Sequence, residues 1–172
     1  MIVRKLLITT AFILSMAFSS FSQSALRIGS IAPEFTGTST NGTRYDLAEL
    51  RGKVVVLTFW STRCEVCRVE LPLLDRVVGQ YDPKDVLFLA LTTEADEKIS
   101  FYLSSHPFRF TTITNSFGTL LQYADRDKAG AVNMPYPSFF VLDQKGRVQY
   151  RASGYDKTDG LNSALRQLIA ER

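Results

Sequence analysis

The chain has 172 residues, a formal net charge of +3, 45% hydrophobic residues and 22% charged residues. That composition is ordinary for a globular protein and long enough for one domain with its own core. No basic block of the kind nucleic acid requires is present, and two cysteines with one histidine fall short of the about four ligands of a zinc site.

Arg4 and Lys5, the apolar run Leu6 to Phe18 and the small polar residues Ser19 to Ser24 have the layout of a secretory signal. Ser20-Phe21-Ser22 before Gln23 offers a small-x-small cleavage position. The pattern predicts a signal peptide over residues 1–24 and one domain over residues 25–172, exported to the periplasm. The alternative is an uncleaved N-terminus that anchors the domain and leaves it facing the periplasm. The run is shorter than the ~20 apolar residues of a spanning helix, which favours cleavage. No cysteine follows it, so lipid attachment is not expected there. Removing Arg4 and Lys5 takes the formal charge to +1.

Asn41-Gly42 is a hairpin turn signal after Ala32-Pro33-Glu34-Phe35. Asn41-Gly42-Thr43 also fits the glycosylation acceptor pattern and is read here as a turn. Asp46 caps one helical turn that reaches Leu50. Arg51-Gly52-Lys53 then breaks the chain before Val54–Phe59, an apolar, β-branched run that predicts a buried strand. After the cysteines, Val66, Val69, Leu71, Leu73, Leu74, Val77 and Val78 predict a helix with a wide apolar side, ended by Asp82-Pro83. Pro72 lies inside it and is expected to kink it.

Cys64 and Cys67 stand at C-x-x-C spacing on the strand-to-helix turn. Free backbone N–H groups at a helix start stabilise a thiolate, so Cys64 is the expected nucleophile. Cys67, one turn on, can attack a mixed disulfide formed at Cys64. A purely structural bridge over so short a loop would constrain little chain entropy. Glu65 lies between the thiols. A carboxylate there raises a thiol pKa and makes the dithiol more reducing, while Arg63 pushes the other way. The plainer reading of Glu65 is a solvated charge near a helix start.

Val86 to Leu91 predicts a second buried strand. Thr93-Glu94-Ala95-Asp96 resembles a capping box and opens a helix to about Ser104, closed by His106-Pro107. His106 has no adjacent cysteine or carboxylate and is read as a loop residue. Phe110 to Thr114 predicts a short strand and Phe117 to Tyr123 a short helix. Ser138 to Leu142 is a strand entered through Pro135 and Pro137. Asp143 to Gly146 turns it back along Arg147 to Arg151. Leu161, Leu165, Leu168 and Ile169 give a closing helix from near Asp159. Strands separated by helices predict an α/β domain, its mixed central sheet covered on both faces.

Phe59-Trp60, the two cysteines and Pro72 together resemble the active site of the thioredoxin superfamily. The longer run Cys64-Glu-Val-Cys-Arg-Val-Glu70-Leu-Pro72 resembles the exported TlpA-like and ResA-like thiol–disulfide oxidoreductases. The likeness runs from about Ile28 to the C-terminus. It implies a thioredoxin-like fold with an N-terminal hairpin extension and a central strand–helix insertion. It implies a redox-active disulfide between Cys64 and Cys67. Thioredoxin keeps a buried Asp two residues before its tryptophan, where this chain has Thr58. In the TlpA-like group the glutamate matching Glu70 acts beside the cysteines, and here it would take the Cys67 proton. Its alternative is an exposed charge paired with Arg63 or Arg68, and in either case it is expected to add little to the fold.

The resemblance also makes Pro137, not Pro135, a cis-proline that faces the cysteines. Tyr136, where relatives often carry a smaller residue, would limit what fits. Trp60, Glu65, Tyr136 and Pro137 are the expected substrate-binding residues. The implied activity is an exported thiol–disulfide oxidoreductase that reduces protein disulfides, with cytochrome c maturation as one setting. It needs no cofactor, metal or nucleic acid. Its partners are a disulfide-containing protein substrate and a membrane thiol donor that recharges it. One alternative is a metal- or haem-handling carrier with the cysteines as ligands. Another is a peroxiredoxin-like peroxidase. That motif wants a proline seven residues and a threonine three residues before the reactive cysteine, where Leu57 and Ser61 stand.

Overall fold

A computed structural model describes residues 26–170, so the signal-peptide assignment lies outside the described residues. Val54–Phe59 forms β3, and every residue of it is buried. It is the middle strand of a five-stranded sheet whose strands lie in the spatial order Thr111–Ile113 (β5), Val86–Leu91 (β4), β3, Ser138–Leu142 (β8) and Val148–Ser153 (β9). β4 (Val86–Leu91) runs parallel to β3, and β5 (Thr111–Ile113) parallel to β4. β8 (Ser138–Leu142) and β9 (Val148–Ser153) run antiparallel.

Side chains of a strand alternate between the two faces, so a strand covered on both sides must be apolar throughout. Val54, Val56 and Trp60 join Phe88, Phe139 and Val141 on one face, under α1 (Glu65–Val78), α2 (Asp96–Ser105) and α4 (Thr158–Ala170). Val55, Leu57 and Phe59 join Leu89, Leu91 and Phe140 on the other, under α3 (Phe117–Tyr123) and the N-terminal extension with Phe35 and Leu47. The expected mixed sheet with helices on both faces is what forms.

The extension is the hairpin of β1 (Thr36–Thr38) and β2 (Arg44–Asp46). Its turn places Gly42 at φ +84°, and the Asn41 side chain accepts the Thr43 N–H at 3.0 Å. Asp46 accepts the Ala48 N–H at 2.9 Å and caps the 3₁₀ turn Leu47–Leu50.

Three local expectations differ from the structure, and one hairpin was not anticipated. α1 stops at Val78 rather than at Asp82-Pro83, because Gly79 is a poor helix former and Tyr81 leaves the helix line to pack on the core. There the Tyr81 hydroxyl donates to Asn162 at 2.6 Å. The apolar side of α1 is narrower than its sequence suggests: Val69 and Leu73 are exposed, while Cys67, Glu70, Leu71, Leu74 and Val77 are buried. Thr93 and Asp96 form no capping box. Ala95 is the N-cap of α2 without a side-chain bond, and Asp96 instead accepts from the Thr114 hydroxyl. A small hairpin of β6 (Asp125–Arg126) and β7 (Val132–Asn133) has no apolar alternation to announce it. Asp127 organises its turn by accepting the Ala129 and Ala131 amides. Among the described residues no helix is long and apolar enough to cross a membrane.

Candidate active site

β3 delivers the chain to Trp60 at its C-terminal end, and the next turn leads into α1. Cys64 is the N-cap of α1, with extended backbone angles. Its Sγ accepts the Cys67 N–H at 3.0 Å. Cys64 and Cys67 form a disulfide with Cα atoms 5.2 Å apart. Cys64 is half-buried and Cys67 is only 1% exposed. An incoming sulfur therefore meets Cys64 first, and a thiolate there would keep a backbone N–H and the helix dipole as partners.

The second half of the site enters from β8. Phe59 pairs with Ser138, so Pro137 lies at the sheet end from which the cysteine turn departs. The Tyr136–Pro137 bond is cis and Pro137 is buried. The Gly154 N–H donates to the Pro137 carbonyl at 2.8 Å. Tyr136 is half-buried, packs against both core clusters and is hydrogen-bonded to the Thr93 side chain. Burial raises its phenol pKa, the Thr93 bond opposes that, and the Glu94 charge adds to the rise.

Glu70 is fully buried, at 0% exposure. It accepts the Asp156 N–H at 2.7 Å, the Lys157 N–H at 3.4 Å and the Thr158 hydroxyl at 2.9 Å. This removes the exposed-charge alternative, since the donors to Glu70 are Asp156, Lys157 and Thr158 and Arg68 pairs with Glu65 instead. It also corrects the expectation of a small contribution to the fold. Glu70 ties the loop before α4 to the helix that carries the cysteines, because a buried carboxylate must find donors.

The other expected substrate contacts divide. Trp60 is 0% exposed, so no substrate reaches its ring directly. It packs against Tyr102 and Phe108, with ring centroids 5.6 and 5.7 Å away, in the cluster that also holds Cys67. Its influence on the site runs through packing. Glu65 has a side chain 79% exposed and a 3.4 Å ion pair with Arg68. That is a solvated helix-start charge, and such surface pairs contribute little. His106 is exposed at the end of α2 and stacks on Tyr102 with centroids 4.5 Å apart.

Two residues at the site escape the motif reading. Thr62 is 9% exposed, and its amide and hydroxyl both donate to the Glu94 carboxylate, at 2.7 and 2.8 Å. Burial opposes ionisation of Glu94, but bonds from Lys98 and Thr62 and the Lys98 charge outweigh it, and its pKa lies below the usual carboxylate value. The available signal was a glutamate directly behind the β4 run, at the sheet end where the cysteine turn begins. Among the described residues no group of three or more His, Cys, Asp or Glu side chains is placed to hold a metal ion.

A thioredoxin fold with a C-x-x-C disulfide at its first helix and a cis-proline at the same sheet end defines the class, a thioredoxin-like thiol–disulfide oxidoreductase. Residues 28–151 match the AhpC/TSA family, and the chain belongs to it. The thiol–disulfide oxidoreductase ResA of Geobacillus kaustophilus is 30% identical over 133 residues, which cover 77% of this chain and 72% of that one. The crystal structure of a putative thiol:disulfide interchange protein DsbE from Chlorobium tepidum superposes with a TM-score of 0.69 at 26% identity, covering 86% of this chain and 98% of that one. A secreted Mycobacterium tuberculosis disulfide oxidoreductase gives 0.62 at 26% identity, covering 78% and 96%.

Proposed function

We propose that the protein is an exported reductase of protein disulfides. The observation that carries this is the asymmetry of the pair: Cys64 half-exposed as a helix cap, Cys67 buried behind it. The Cys64 thiolate attacks one sulfur of a substrate disulfide. A Cys64–substrate disulfide forms and the other substrate sulfur leaves as a thiolate. Cys67, deprotonated, then attacks the Cys64 sulfur, which closes the internal disulfide and releases the second substrate sulfur as a thiolate. Protons from solvent and from the site complete the two thiols. Two electrons pass to the substrate, and a membrane thiol donor returns them.

Glu70 is the acceptor for the Cys67 proton. A carboxylate offers about four lone-pair sites, and three donors occupy Glu70. One site is left for the thiol one turn back on the same helix. The substrate enters as an extended segment along the Tyr136 backbone, with the Tyr136 ring limiting what fits. The signal-like N-terminus and the likeness to a secreted oxidoreductase support export. Apocytochrome c is one substrate of this class. Among the described residues no group of three or more His, Cys, Asp or Glu side chains supports the carrier alternative, and the peroxidase alternative has Leu57, a buried strand residue, where its proline should stand.

Trapping tests the reading. Cys67→Ala, expressed with its native leader, stalls at the mixed disulfide, so exported proteins with paired cysteines should be recovered on Cys64 and released by dithiothreitol. Recovery of no such adduct, from a variant that folds and still alkylates at Cys64, would refute a protein-disulfide substrate.

A further inference from the structure

Glu94 takes no part in the exchange steps, yet it is bound to the loop that carries the nucleophile. It follows β4, and its side chain is 11% exposed. Its two oxygens hold the Thr62 amide and the Thr62 hydroxyl, 32 residues away in sequence and two before Cys64. Lys98, one helical turn on, pairs with the same carboxylate. The Glu94 carbonyl accepts the Asn115 N–H at 3.1 Å, which fixes the residue from a third loop. Its neighbour Thr93 is bonded to Tyr136, so the same short loop reaches both halves of the site.

We propose that Glu94 is a positioning residue for Cys64: its paired bonds to Thr62 hold the nucleophile's loop, and its half-buried charge disfavours the Cys64 thiolate, with Lys98 setting how strongly. The proposal rests on Cys64 being the nucleophile. Two hydrogen bonds from one residue to both carboxylate oxygens fix orientation as well as distance. Two residues of chain span at most about 7 Å between Thr62 and Cys64, and the carboxylate is bonded to Thr62, so charge and nucleophile belong to the same turn. A negative charge at that range raises a thiol pKa, and a less stable thiolate makes the couple more reducing.

The other charges around Cys64 are less suited to this task. Arg63, Glu65 and Arg68 are exposed and face solvent, and Glu65 and Arg68 neutralise each other. Glu70 is committed to the loop before α4, whose own charges Asp156 and Lys157 are of opposite sign. Tyr136 is neutral near pH 7, since a phenol ordinarily titrates at about 10 and burial pushes this one higher.

The test is the pH profile of Cys64 alkylation by iodoacetamide in the reduced protein, with the site of labelling mapped by mass. Glu94→Gln keeps an acceptor for Thr62 and loses the charge. Its midpoint should fall by about half to one pH unit, and labelling at neutral pH should rise about three- to tenfold. Lys98→Met leaves the carboxylate unbalanced, so its midpoint should rise. Thr62→Ser keeps both donors and should match the wild type. Midpoints that stay put, or that move the same way in Glu94→Gln and Lys98→Met, would reduce Glu94 to a structural tie. If Glu94→Gln fails to fold, the Lys98→Met profile decides alone. Failure of the underlying reading looks different, since label would then appear on Cys67 first in every variant.

Discussion

Replacing Glu70 separates its anchoring bonds from the proton transfer proposed for it. Glu70→Gln can turn its amide oxygen to the Asp156 N–H, the 2.7 Å bond, and offer its NH2 to the Thr158 hydroxyl, which can accept. The Lys157 amide, already 3.4 Å away, then loses its partner. What disappears is mainly the charge assistance of these bonds, so the cost should be about 1–2 kcal/mol, partly offset because a neutral side chain is easier to bury. Glu70→Leu keeps the volume and leaves all three donors without an acceptor. Its cost should be about 3–5 kcal/mol. Urea unfolding of the oxidised protein, with amide exchange followed at Asp156, measures both. In exchange kinetics, Glu70→Gln should leave the Cys64 attack unchanged and slow the Cys67 release step, because the amide cannot take the proton. A Glu70→Leu variant with the wild-type urea midpoint would refute the anchoring argument. A Glu70→Gln variant with the wild-type release rate and pH profile would refute the proton transfer.

Cys64 should alkylate before Cys67 at neutral pH, since Cys67 is 1% exposed, and preferential labelling of Cys67 in mass mapping would exchange their roles. The couple should equilibrate with glutathione at about −250 mV or lower, and Glu65→Gln should move it by less than about 10 mV, because that charge is solvated and paired. A shift of about 30 mV or more would make Glu65 a principal tuner after all. Acid should weaken the fold through Glu94. Its folded pKa is depressed, so its contribution is present above the ordinary Glu value of about 4.3 and is lost as pH falls through the lower folded value. Urea unfolding between about pH 3 and 5 should therefore show a shallower pH dependence in Glu94→Gln than in the wild type.

The sheet was legible because its signal is local. A continuous apolar run such as Val54–Phe59 or Val86–Leu91 has one good explanation, a strand covered on both faces, and both strands form over the same residues. The cysteine turn was legible for the same reason, since spacing and a strand-to-helix context lie within a few residues. The cis bond before Pro137 was found through likeness, because an X-Pro pair alone does not announce its isomer. What sequence could not supply were partners set by distant chain. Glu70 looks like any helix glutamate until Asp156 to Thr158 close over it from 86 to 88 residues away. Glu94 looks like part of a capping box, and the competing donor that claims it, Thr62, lies 32 residues upstream. Val69 and Leu73 look like core until the face that Glu70 occupies turns them outward.

The buried acid of this site has changed its element. Where thioredoxin has an aspartate on the central strand, this chain has Thr58, 1% exposed and with no hydrogen-bond partner for its hydroxyl among the described residues. In the proposed mechanism the acid comes instead from α1, as Glu70, which is buried on that helix together with Cys67. An acid on the strand is held by the sheet alone. An acid on the cysteine helix can also be claimed by another segment, and Glu70 is claimed by the turn at Asp156, where a non-glycine residue sits at φ +59°. Two residues earlier the same turn donates from Gly154 to the Pro137 carbonyl. Helix, closing turn and proline loop are thereby joined through one carboxylate. A proton arriving on Glu70 from Cys67 would weaken its hold on the Asp156 amide, because an ionised acceptor binds a backbone N–H more strongly than a neutral one. If the proposed transfer to Glu70 holds, the step that releases product would loosen the turn that touches the proline loop, and chemistry at Cys67 and the grip on the departing substrate would be linked by the hydrogen bonds that stabilise the fold.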